Sequence, residues 1–205
     1  MNQLPIHTSY ERTFQNTSQL HFNKTPRNWQ LRVGGRIIGD ICEKREIRQL
    51  CVQPTGSGKS LLFQTVATFL KGVTLCLCPL LSLAADQVNK LMINTRGEGS
   101  AITALHLDEC EQRDLHEIMA LIKNLEDTST VFLFCSPQSI TQKFQMFADS
   151  LIRDGLIKFV VVDEVHLFTH FGRTFRSEFN DLKDGLFSKL PSSMPMIFLT
   201  ICPRK

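Results

Sequence analysis

Six short apolar runs, set among stretches of helical spacing, limit what this chain can fold into. They lie at 50–53 (LCVQ), 73–78 (VTLCLC), 101–105 (AITAL), 131–135 (VFLFC), 158–162 (KFVVV) and 196–200 (MIFLT). Helical patterns occupy about 59–70, 82–94, 109–125 and 138–153 between the first five. Runs apolar on both faces, alternating with helices, predict an α/β fold whose parallel sheet is covered on both sides. Ligands of such folds gather at the carboxyl ends of the strands. Upstream, Trp29, Val33, Ile37, Ile38 and Ile41 recur at helical spacing despite Gly34, Gly35 and Gly39, which predicts a helix within 29–47. Residues 1–25 are polar and lack periodicity, so they are expected to be a loose lead-in to a domain spanning 26–205.

A chain of 205 residues with 42% hydrophobic content can bury a substantial core. The net charge of +3 singles out no partner. Seven cysteines, at 42, 51, 76, 78, 110, 135 and 202, show neither CxxC nor Cys/His zinc spacing and read as reduced thiols of an intracellular protein. The first residues, MNQLPIHTSYERTF, lack the apolar centre of a secretory signal. The longest mostly apolar run, 72–85, is too short for a bilayer and is broken by Pro79, so no membrane is expected.

The stretch CVQPTGSGKS (51–60) joins an apolar run to a helical pattern through a glycine loop, the context of a P-loop. With no side chains at Gly56 and Gly58, the loop Thr55–Gly56–Ser57–Gly58 can fold around phosphate with its N–H groups turned inward. The helix that starts near Lys59 adds its positive end. Lys59 would reach the β- and γ-phosphates, and the Ser60 hydroxyl would ligate Mg2+. Strict spelling of the motif asks for glycine at Gln53; the bland alternative is a glycine turn that opens a helix with a solvent-facing lysine.

The run KFVVV ends in Asp163 and Glu164. A carboxylate at a neighbouring strand tip suits a second anchor for the metal, here Asp163, commonly through water. Glu164 is the candidate base for the attacking water.

DEVH (163–166) resembles the DExH box of superfamily 2 helicases, with His166 as its last member. The stretch HLFTHFGRTFRSEFNDL (166–182) is similar to the segment directly after that box in RecQ-type DNA helicases. There, an aromatic-rich loop senses single-stranded DNA, and Gly172, Phe175, Arg176, Glu178 and Phe179 match its pattern, with Phe171 where the family usually has tryptophan. The resemblance makes His166 and the loop residues Phe171, Arg173, Phe175 and Arg176 reporters of DNA occupancy. Aromatic faces can stack on bases and arginines can neutralise phosphates. Phe171, Phe175 and Phe179 also recur every four residues, as one buried helical face would.

Other segments agree. CPLLSLAADQVNKL (78–91) looks like motif Ia, with Ser82, Asp86 and Gln87 matching; the resemblance puts Ser82 on the DNA backbone, and an N-cap role suits it equally. FLFCSPQSI (132–140) resembles the family's strand plus TPE segment, with Ser136 and Gln138 substituted. PRNWQ (26–30) resembles the adenine-reading element through Arg27 and Gln30, whose amide could pair with the N6/N7 edge.

The resemblance covers about residues 22–203 and implies a P-loop NTPase fold with a RecA-like parallel sheet, ATP and Mg2+ as ligands, and single-stranded or forked DNA as partner. It implies ATP hydrolysis coupled to 3′-to-5′ unwinding, and a location in the nucleus or cytoplasm, the nucleus for a eukaryotic chain. Motif III departs: LTICP (199–203) stands where RecQ enzymes show LTATA, so Thr200 is kept while Cys202 replaces the second hydroxyl. The family also uses a second RecA-like lobe with an arginine finger. That lobe would be needed in cis or in trans, and the chain is expected to be a fragment or shortened product that cannot unwind alone. The rival expectation is a non-catalytic nucleotide- or DNA-binding adaptor derived from such a lobe. A small-molecule kinase would need a lid and an acceptor pocket, and the DExH spelling argues against it.

Overall fold

A computed structural model of the chain describes residues 6–94, 101–167 and 180–201. Six strands form one wholly parallel sheet: β1 (Arg48–Val52), β2 (Gly72–Leu77), β3 (Ile102–His106), β4 (Thr130–Cys135), β5 (Ile157–Val162) and β6 (Met196–Thr200). Their order across the sheet is β1-β6-β5-β2-β4-β3. Each expected apolar run becomes a strand, shifted by at most two residues.

The period of two along each strand splits the core into two layers. Cys76, Phe132, Phe134, Phe159, Val161, Ile197 and Leu199 face one side, where α2 (Asn28–Cys42) and α3 (Lys59–Leu70) pack. Leu75, Leu77, Leu133, Val160 and Val162 face the other, beneath α5 (Asp114–Lys123) and α7 (Gln145–Arg153). The interior strand β4 is buried at every residue, as a parallel sheet covered on both faces requires. The described cysteines, at 42, 51, 76, 78, 110 and 135, are free thiols. Burial pushes Cys76, Cys78 and Cys135 well above the usual thiol range, which leaves them unreactive at neutral pH.

Residues 6–22 correct the expectation of a loose lead-in: they form the helix α1 (Ile6–Phe22), which packs on α2 and α3. Among its described side chains, the apolar ones that carry it into the core are Tyr10, Phe14 and Phe22, too few to show as a period. The contact depends on the glycines of α2. A Cβ at Gly34 would stand 2.3 Å from the Phe14 ring, and one at Gly39 would stand 2.8 Å from the Tyr10 ring. Glycines that weaken the helical pattern in the sequence are thus the groove into which α1 fits.

The pattern over 138–153 is two helices and not one, α6 (Pro137–Thr141) and α7. Gln142 leaves helical geometry, and Phe144 N–H donates to the Ser139 carbonyl five residues back at 2.8 Å. The break lets Phe144 become fully buried. Likewise the pattern at 109–125 is a short turn of 3-10 helix at Leu107–Glu109 and then α5.

Candidate nucleotide-binding site

The loop between β1 and α3 turns through Gly56 (φ +74°) and Gly58 (φ +89°), conformations open to glycine and strained for other residues. Gly58 stands immediately before α3, so the N–H groups of Lys59 and Ser60 at the start of the helix face the loop, while Leu61 N–H turns back to the Gly58 carbonyl at 3.1 Å. Gln53 N–H still pairs with Thr200 at 3.0 Å, extending the β1–β6 ladder to the edge of the loop. The Gln53 carbonyl accepts from Lys59 Nζ at 3.2 Å, so the residue that departs from strict spelling holds the lysine through its backbone. The Ser57 hydroxyl is buried without a hydrogen-bond partner among the described residues.

The start of α2 braces this loop from behind. Trp29 Nε1 donates to the Ser57 carbonyl at 3.3 Å, and Gln30 Nε2 donates to the Gly58 carbonyl at 2.7 Å. Gln30 Oε1 accepts from Arg27 N–H at 2.6 Å. Both ends of the Gln30 amide are therefore engaged inside the protein. Arg27, Gln30 and Ser60 line a cleft of about 710 Å³ that also touches Lys24, Gln64 and Gln87. Trp29, the only tryptophan of the chain, is a loop brace that sequence reasoning misses; the one signal for it is its place beside Gln30.

Asp163 and Glu164 come directly after β5 at the same sheet end. Asp163 N–H pairs with Leu77 at 2.9 Å and Val165 N–H with Leu199 at 2.9 Å, so the box stays tied to both neighbouring strands. Between these ties Glu164 takes φ +49°, in the left-handed region. Burial first, then the Glu164 carboxylate, push Asp163 up to about 6, against a hydrogen bond from Glu164 N–H and the charge of Lys59. Burial opposes the charge of this carboxylate and a nearby cation favours it, so a bound metal ion would draw Asp163 toward its ionised form.

His166 Nδ1 lies 3.2 Å from Glu164 Oε2, close enough to pair ionically when protonated but not aligned as a hydrogen bond. It also lies 3.4 Å from Thr200 Oγ1, so the hydroxyl retained in LTICP touches the last member of the box. Thr55, Ser82, Asp86, Glu164 and His166 line a second cleft of about 460 Å³. Ser82 is exposed at its rim but is not an N-cap: α4 (Leu81–Asn94) begins before it, and the Leu80 carbonyl takes the bond from Ala84 N–H. Ser136 caps α6 and, with Ser139, hydrogen bonds Asp108 in the 3-10 turn after β3. Phe171, Arg173, Phe175, Arg176 and the rest of the aromatic loop, with Cys202 and Pro203, lie outside the described residues.

Among the described residues, no three His, Cys, Asp or Glu side chains converge as a metal cluster. The donor set on hand, one serine hydroxyl and one or two carboxylates beside a phosphate loop, fits a cation that keeps several waters and takes phosphate oxygens, as Mg2+ does. No helix among the described residues is long and apolar enough to cross a membrane.

A protein-family model described as DEAD/DEAH box helicase matches residues 35–203. The chain is 31% identical over 150 residues to ATP-dependent DNA helicase Q5 of Rattus norvegicus, an alignment that covers 72% of this chain and 14% of that protein. It is 33% identical over 153 residues to ATP-dependent DNA helicase RecQ of Pasteurella multocida, covering 74% of this chain and 22% of that one. The chain thus spans a small part of the length of these relatives. Among solved structures, the UvsW helicase from bacteriophage T4 superposes with a TM-score of 0.56 at 16% identity, over 97% of this chain and 61% of that one. The DUF1998 helicase MrfA gives 0.57 at 16% identity, over 95% of this chain and 29% of that one.

Proposed function

The chain belongs to the DEAD/DEAH box helicase family, and from that premise we propose that it is the ATP-binding lobe of a RecQ-like ATP-dependent DNA helicase. The observation that carries the reading is the meeting of Lys59 and the Asp163–Glu164 pair at one end of the sheet, where the lysine's charge acts on Asp163. The N–H groups of Gly56 to Lys59 bind the phosphates, and Lys59 leaves the Gln53 carbonyl to reach the terminal ones. Ser60 and Asp163 hold Mg2+, which neutralises phosphate charge when bound. Glu164 orients the attacking water and takes its proton. Arg27 and Gln30 flank the base, and the short approaches of His166 to Glu164 and Thr200 suit it to carry the state of the box to motif III.

DNA is the proposed partner, through Ser82 and the loop bearing Phe171, Arg173, Phe175 and Arg176, with a second RecA-like lobe completing the ATP site. In a eukaryote such a protein works in the nucleus. Alone, the chain binds Mg·ATP and does not unwind.

Single-turnover ATP hydrolysis with and without single-stranded DNA, a second lobe supplied in trans, tests the reading. Hydrolysis by the wild type that is lost in Glu164→Gln supports it. Unwinding by the 205-residue chain alone overturns the one-lobe view. The replacement of the second motif III hydroxyl by Cys202 favours a non-hydrolysing adaptor; nucleotide binding without hydrolysis under every condition would establish that alternative.

A further inference from the structure

Ser60 is the proposed metal ligand, and a side chain from another helix holds its hydroxyl. Gln87 of α4 donates from Nε2 to Ser60 Oγ at 2.8 Å. Gln64, one turn past Ser60 on the same face of α3, approaches Gln87 Oε1 from Nε2 at 3.5 Å, which turns the amide nitrogen of Gln87 toward the serine. The backbone carbonyl of Gln64, apart from this amide pair, accepts from Thr68 Oγ1 at 2.8 Å. Gln64 and Gln87 are both buried, each 7% exposed, where an unpaired amide is unfavourable. Ala84 and Leu91 of α4 anchor that helix in the core on either side of Gln87.

A serine hydroxyl has one proton and two lone pairs. One lone pair receives the Gln87 amide, which leaves one lone pair and one proton to share the two remaining tetrahedral directions. We infer that Gln87 is a positioning residue that aims the remaining lone pair of Ser60 at the cation accompanying the triphosphate, and so makes metal binding depend on where α4 stands. The inference rests on the reading that Lys59 and Ser60 hold Mg·ATP.

The test measures binding of N-methylanthraniloyl-ATP to the full 205-residue chain in Mg2+ and in EDTA, and takes the ratio of affinities as the magnesium enhancement. Gln87→Met keeps the length of the side chain and removes the donor. The expected result is an enhancement reduced roughly three- to tenfold with affinity in EDTA unchanged. On a Ser60→Ala background, Gln87→Met should then reduce the enhancement no further, because the acceptor is already gone. An unchanged enhancement in Gln87→Met, or a loss that persists in Ser60→Ala, overturns the inference and leaves the ATP reading intact. A wild type with no magnesium enhancement overturns the reading beneath it, and the inference with it. If circular dichroism shows Gln87→Met unfolded, Gln87→Asn, whose amide stops one methylene short, is measured in the same way. Unfolding of both makes Gln87 a core brace and rejects the positioning role.

Discussion

The Gln30 side chain and the Gly58 backbone are joined by a 2.7 Å hydrogen bond from the amide to the carbonyl, 28 residues apart in sequence. A Cβ at Gly58 would stand 2.7 Å from that same amide nitrogen, so close approach and positive φ both require glycine there. Donor and acceptor both belong to the protein. Gln30→Ala should therefore lower the unfolding free energy by about 1–3 kcal/mol with no nucleotide present, because the half-buried Gly58 carbonyl and the Arg27 N–H each lose their bond to its amide. Urea denaturation reads this directly. An unchanged midpoint would mean that Gln30 serves the base alone.

Phe14 seated against Gly34 yields a second expectation. Phe14→Ala should destabilise by about 3–5 kcal/mol, since the ring is fully buried. Gly34→Ala should cost about 1–3 kcal/mol by overpacking against the ring, more than offsetting alanine's better helix propensity. The double variant places a methyl group in the space the ring vacates. Its loss should fall short of the two single losses added together, by at least about 1 kcal/mol in chemical denaturation.

How much of the molecule is legible in its sequence depends on how far apart the cooperating residues lie. The strands and α3 are readable because periodicity and the glycine loop are local signals, and Lys59, Ser60, Asp163 and Glu164 stand where those signals end. The helix α1 is not readable: its amphipathicity rests on a few residues, and its partner face on α2 is made of absent side chains. Neither is the break before Phe144, which the core imposes and helix propensity does not. The braces around the site are hidden for a related reason. Trp29 on Ser57, Gln87 on Ser60 and Ser136 on Asp108 each join segments about 28 residues apart, and polar pairing at that distance leaves no pattern along the chain.

Asp163 makes both stability and binding depend on pH. Its folded value of about 6 lies above the ordinary 3.8, so the folded chain holds this proton more tightly than the unfolded one. The stabilisation from that proton is complete below about pH 4 and is lost as pH rises toward about 6, about 3 kcal/mol in all. Asp163→Asn cannot titrate. Relative to wild type, its stability should rise across that window and then stay level, as measured by urea unfolding at a series of pH values. Mg2+ needs the ionised carboxylate, so wild-type affinity for Mg·nucleotide should weaken below about pH 6, by up to about tenfold per pH unit.

Glu164 carries its carboxylate on a left-handed backbone at φ +49°, between the ties of Asp163 to Leu77 and of Val165 to Leu199. Those two ladder bonds hold the turn in place, and a residue with a Cβ is strained there by about 1–2 kcal/mol. Glycine is not. Glu164→Gly should therefore be more stable than Glu164→Ala by about 1 kcal/mol, once glycine's greater freedom in the unfolded chain is allowed for. Both substitutions also remove the negative charge beside Asp163 and should bring its titration down toward the ordinary carboxylate range. Glu164→Gln keeps the strain and loses the base. It should match the wild type within about 1 kcal/mol in stability and bind Mg·ATP with little change, while single-turnover hydrolysis falls by at least about 100-fold. Paired denaturation and single-turnover measurements on the three variants separate strain from chemistry. Equal stability of Gly and Ala would show that the turn is unstrained, and hydrolysis surviving in Gln would remove Glu164 from the role of base.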